Sequence, residues 1–85
     1  MKIIKNKNTI SESLSNKTFI LNNETGEYIE LNETASYLWN SFKDESTPEK
    51  LTEFLTKEYN LDDDIAQRDV NVFIQECLSN KLLLK

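Results

Sequence analysis

The stretch Phe19–Phe42, FILNNETGEYIELNETASYLWNSF, decides the fold. Phe19, Ile20 and Leu21 form a short apolar run. Glu27 to Leu31 alternates polar with apolar residues, the period of a strand with one buried face. Gly26 stands between the two, where a hairpin loop needs a positive φ. Strands joined this closely pair antiparallel. Asn32 then ends the second strand and is placed to cap a helix, its side-chain oxygen accepting from the free N–H groups of the first turn. Beyond it, Ala35, Leu38, Trp39 and Phe42 recur at three- and four-residue spacing and so share one helix face. The hairpin alone is too small to cover that face.

Upstream, Thr9 to Leu14 (TISESL) predicts a further strand, ended by the turn-prone Ser15-Asn16-Lys17. The simplest product is a three-stranded antiparallel meander with its third strand, Glu27 to Leu31, at an edge. Residues 1–8, rich in Lys and Asn, are expected as a flexible arm. Downstream, Thr47 as cap and Pro48 at the first helical position start a second helix reaching about Tyr59, with Leu51, Phe54, Leu55 and Tyr59 on its apolar face. Asp62-Asp63-Asp64 opens a third helix, since acidic side chains meet the positive end of the helix dipole. This helix is expected to end near Ser79, with Asn80 in the left-handed stop conformation. Its main buried stripe is Ala66, Val70, Phe73, Ile74, Cys77 and Leu78, and Leu82-Leu83-Leu84 is an apolar tail returning to the sheet or the helices. The expected class is α+β: one winged-helix-like domain over residues 1–85, a three-stranded antiparallel sheet followed by three helices.

Composition narrows the chemistry. With 85 residues there is one core and no separate catalytic domain. The 38% hydrophobic and 29% charged content is that of a folded globular chain rather than a disordered one. Cys77 is the single cysteine and histidine is absent, which excludes an internal disulfide and the usual zinc sites and weakens any acid–base mechanism. No cofactor, metal site or catalytic residue is expected. Asp62-Asp63-Asp64 lacks the spacing, glycine and later glutamate of a calcium loop and suits helix capping better. Cys77 and Trp39 both fall on apolar faces and suit the core. No apolar run is long enough to span a bilayer and none resembles a signal peptide, so a cytoplasmic protein without membrane contact is expected. Charge is balanced through Leu31, where four lysines meet four glutamates, so the net −5 lies beyond it. Nucleic acid would be repelled by that half.

At 100° per residue, Ile65 and Val72 fall off the main stripe of the third helix, together with Asp69 and Glu76 and flanked by Arg68. They are either scattered surface residues, which are common, or one wall of a groove. An edge strand offers unpaired backbone groups to which an extended peptide can add, with nearby pockets for alternate side chains. Acidic residues on the helix wall would favour a guest carrying Lys or Arg.

Leu21 followed by Gly26 and Tyr28, then Leu31-Asn32-Glu33-Thr34-Ala35 and Trp39, resembles the PqqD-like proteins, the recognition elements of ribosomal peptide (RiPP) pathways. Thr47-Pro48-Glu49, Tyr59-Asn60-Leu61-Asp62, Arg68-Asp69-Val70, Phe73-Ile74 and Lys81-Leu82-Leu83 continue the resemblance from about Thr9 to Leu84. It implies a non-catalytic domain that binds the leader segment of a precursor peptide as an added strand between the third strand and the third helix, and presents it to modifying enzymes. Carried over, the strand side would be Tyr28, Ile29, Glu30 and Leu31, mainly through backbone, and the helix side Arg68, Asp69, Val72, Phe73 and Glu76. The stand-alone length and the L-x-x-x-x-G-x-Y-x-x-L-N spacing look most like the leader-binding proteins of lasso-peptide clusters, which implies a leader peptidase and a cyclase as partners. Radical-enzyme pathways use the same domain, which would make the partner a radical SAM enzyme. Members often have glycine where this chain has Lys81.

Two other classes compete. A DNA-binding winged helix has the same elements, but its recognition helix needs basic and amide side chains facing phosphates and bases. Here the third helix region carries five carboxylates, at Asp62, Asp63, Asp64, Asp69 and Glu76, against Arg68 alone. A small enzyme would rest on scattered carboxylates better read as solvated faces.

Overall fold

The computed structural model describes all 85 residues. In chain order the elements are β1 (Ile3–Lys5), β2 (Thr9–Leu14), β3 (Lys17–Asn22), β4 (Tyr28–Leu31), α1 (Glu33–Asn40), β5 (Glu45–Ser46), α2 (Pro48–Tyr59), α3 (Asp63–Ser79) and β6 (Leu83–Leu84). The expected meander is present as the antiparallel sheet β2-β3-β4, with β4 at its edge. Ser15 and Asn16, both at positive φ, close the β2–β3 hairpin in the two-residue loop geometry that matches strand twist. Gly26, at φ 77°, turns the β3–β4 connection. Asn22 stabilises that loop from within: its Oδ1 accepts from the Glu24 and Thr25 amides at 2.9 and 3.3 Å.

The three helices start as expected. Asn32 Oδ1 accepts from the Ala35 amide at 2.8 Å, Thr47 Oγ1 accepts from the Lys50 amide at 3.2 Å, and Pro48 opens α2. Asp62 is the N-cap of α3 without a side-chain cap bond, and Asp63 and Asp64 occupy the first turn, where the helix dipole favours them.

Three expectations are corrected. Residues 1–8 are not a loose arm: β1 is the central strand of a second antiparallel sheet, β5-β1-β6, because Ile3 is fully buried and the chain's tail returns to pair with it. The left-handed residue after α3 is Lys81, at φ 59°, while Asn80 sits at φ −92°. Asn80 instead directs its side chain back to the Glu76 carbonyl at 2.9 Å. Phe54 is exposed rather than inward, since Leu51 and Leu55 already fill the contact between α2 and the core.

The core forms where the inner face of β2-β3-β4, given by Ile20 and Leu31, meets Leu38 and Trp39 of α1, Leu51 and Leu55 of α2, and the α3 stripe Ala66, Val70, Phe73, Ile74 and Cys77. Ile3, Leu82 and Leu83 close its lower end from the second sheet. No helix is long and apolar enough to cross a membrane.

Candidate functional site

The β3–β4 register pairs Thr18 with Leu31, Phe19 with Glu30, Ile20 with Ile29 and Leu21 with Tyr28. The Asn22 amide donates to the Glu27 carbonyl at 2.9 Å, which marks that pair as hydrogen-bonded. Alternation along an antiparallel ladder then makes Ile20–Ile29 and Thr18–Leu31 the bonded pairs. The N–H and C=O groups of Tyr28 and Glu30 therefore point away from β3, toward an edge on which no strand pairs. Side chains alternate on the perpendicular axis. Leu31 is buried and Ile29 half-buried on the helix side, while Tyr28 and Glu30 stand on the outer face.

Beside that edge lie two adjoining depressions. One, of about 200 Å³, is lined by Asn32, Thr34, Ala35 and Leu38 from the start of α1 and by Asp69, Val72, Phe73 and Glu76 from α3. The other, of about 250 Å³, lies along β4: Ile29, Glu30 and Leu31 on one side, Glu76, Cys77 and Asn80 on the other, with Leu82 also in its lining. Asn32, Ala35 and Glu76 belong to both, so the two form one cleft between β4–α1 and α3. Its lining combines apolar side chains with polar and acidic ones and with Lys17. Larger depressions exist, including one of about 510 Å³ between α2 and α3, but that one is lined by Pro48 and polar side chains and has no strand edge. Volume does not choose the site.

Seven of the nine residues expected at the cleft line it: Ile29, Glu30, Leu31, Asp69, Val72, Phe73 and Glu76. Tyr28 belongs to neither lining, and its side chain, like that of Glu30, stands on the outer sheet face. Arg68 lies outside both linings, at the margin of the α3 face that carries Val72 four positions on. The sequence reading missed the contribution of α1. Its signal was Ala35, a small residue on an otherwise bulky apolar face, which leaves room where β4 passes into the helix.

Val72 is 52% exposed, an aliphatic side chain presented to solvent within a lined depression, whereas Phe73 beneath it is 3% exposed. Glu30 is paired with Lys17 at 2.9 Å. Asp69 and Glu76 belong to none of the three ion pairs, so the α3 wall carries unneutralised negative charge. Cys77 is buried, and burial, with Glu76 adding to it, pushes its thiol up to about 12, which keeps it protonated and inert. No group of His, Cys, Asp and Glu is arranged to hold a metal ion.

An antiparallel meander whose β4 edge is open and a helix set across a partly apolar cleft from that edge define a small α+β domain of the recognition-element type. The chain belongs to the PqqD family: the family model described as Coenzyme PQQ synthesis protein D (PqqD) matches residues 17–83. Two solved structures share its fold. TbiB1, in complex with the TbiA(beta) leader peptide, superposes with a TM-score of 0.83 at 23% identity, over 93% of this chain and 92% of that one. A lasso peptide synthetase B1 complexed with its leader peptide gives a TM-score of 0.79 at 22% identity, over 98% of both chains. No curated protein matches the chain.

Proposed function

We propose that this protein is a non-catalytic recognition element that binds the leader segment of a ribosomally made precursor peptide. The leader adds as a strand to the outer edge of β4. The single observation that carries the reading is the pair of outward-facing backbone units at Tyr28 and Glu30, facing no strand of the chain, with Glu30 lining the cleft across from Glu76 and Cys77 of α3. A guest strand sits about 4.8 Å from the strand it joins, and its alternate side chains then project into the cleft. Both structural relatives were solved with a leader peptide bound, which agrees with this assignment. The free carboxylates of Asp69 and Glu76 favour a guest that carries Lys or Arg, an attraction that salt weakens. Residues 1–85 act as one peptide-binding domain. Its partners are the modifying enzymes that receive the precursor, a leader peptidase with a cyclase in a lasso-peptide pathway or a radical SAM enzyme in the other class.

Val72→Asp is the test. It sets an unpaired charge against an apolar guest side chain and is expected to weaken binding of the precursor's leader peptide by about 1–3 kcal/mol in calorimetry. Because Val72 is half exposed, the melting temperature should hold. Unchanged affinity would remove α3 from the site, and a collapse in melting temperature would place Val72 in the core.

A further inference from the structure

The cleft leaves one feature of β4 unexplained. Tyr28 is 65% exposed, on the face of the sheet opposite the helices. The register places it in a row: Ile10 of β2 opposite Leu21 of β3, and Leu21 opposite Tyr28. Phe19 adjoins the row, its ring centroid 6.1 Å from that of Tyr28. Ile10 is 61% exposed and Leu21 and Phe19 are half-buried, so an apolar strip crosses all three strands and reaches the open edge of β4 beside the cleft. Single exposed apolar side chains are ordinary. A contiguous row that reaches an unpaired edge is not, because edge strands are normally protected there by charge. Glu30 supplies such protection one pleat along, held by Lys17, whereas Tyr28 supplies none.

We propose that this row continues onto the guest: the bound strand presents an apolar or aromatic side chain on the outer face beside Tyr28, so the protein reads both faces of the peptide. The inference rests on strand addition at β4. Alternate residues of any added strand face outward, whichever way it runs, and the one nearest Tyr28 lies within reach of its ring. The next outward residue meets the Lys17–Glu30 pair and is polar.

The experiment selects a displayed random library of peptides about ten residues long on the wild-type protein and on Tyr28→Lys, keeping peptides that shift the amides of Tyr28 and Glu30 in 15N spectra. Wild type is expected to enrich an apolar or aromatic residue at one outward position. Tyr28→Lys should turn that position acidic and leave the inward positions apolar. Replacing the enriched residue by serine in a synthetic peptide should cost about three-fold in affinity for wild type and nothing for Tyr28→Ser. Edge-binding peptides whose outward position is random, or the same for both proteins, overturn this inference and leave strand addition standing. Selection that yields no peptide shifting the β4 amides overturns strand addition, and this inference with it. A wild-type dimer in sedimentation that Tyr28→Lys dissociates assigns the row to a second copy and also overturns it.

Discussion

Lys81 holds φ 59°, a left-handed conformation that costs a side-chain-bearing residue of order 1 kcal/mol and glycine little. It stays there because its carbonyl accepts from Asn6 Nδ2 at 2.8 Å and Asn22 Nδ2 at 3.3 Å, and because Leu82 must turn back into the core. Lys81→Gly is expected to stabilise the domain by about 1 kcal/mol, seen as a rise of a few degrees in melting temperature; no rise would mean the strain is relieved elsewhere. Lys5 gives a pH dependence. Its ammonium donates to the Phe42 carbonyl at 2.7 Å and lies 4.4 and 4.7 Å from the Trp39 and Phe42 ring centres. Burial lowers it from 10.5 to about 8, against the pull of Asp44. From about pH 8 to 10.5 the unfolded chain therefore binds more protons than the folded one, and stability rises with pH. Cys77, raised from 9.0 to about 12, acts oppositely above pH 9. Melting temperatures at pH 8 and 9 should show a rising Lys5 contribution that Lys5→Met removes; equal slopes in the two proteins would contradict it. Neither effect was legible in the sequence, because positive φ at a lysine and burial of an ammonium both depend on contacts from distant segments.

At the scale of elements, local signals were readable and non-local ones were not. The hairpin, the Asn32 and Thr47 caps and the stripe of α3 follow from spacings of two, three and four residues. The β5-β1-β6 sheet does not, since strands of two or three residues have no periodicity and their partners lie more than 35 positions away. Its weight in the fold is testable. Ile3 is fully buried, and Ile3→Ala should cost about 2–4 kcal/mol in denaturant unfolding. A loss below 1 kcal/mol would return residues 1–8 to the status of an arm. The cleft shows the same division. Its strand and α3 walls could be named from pattern and resemblance, whereas the share of α1 depended on how Asn32 turns the chain at the end of β4.

Across the whole molecule, the two ends of the chain fix the cleft's lower end. Asn6 near the N-terminus and Asn22 at the end of β3 both bind the Lys81 carbonyl, and Asn6 also reaches Glu24 at 3.0 Å, so the hairpin loop and the end of α3 are held to one another. The gap between β4 and α3 is thereby set before any guest arrives, which limits the ordering cost of binding. Amide hydrogen exchange tests the central claim most directly. In the free monomer, Tyr28 and Glu30 should exchange rapidly while Ile29 and Leu31, bonded to β3, are protected. Adding the precursor's leader peptide should protect Tyr28 and Glu30 as well. Protection of those two amides in the free monomer, or rapid exchange that the bound leader leaves unchanged, would contradict an open edge completed by a guest strand.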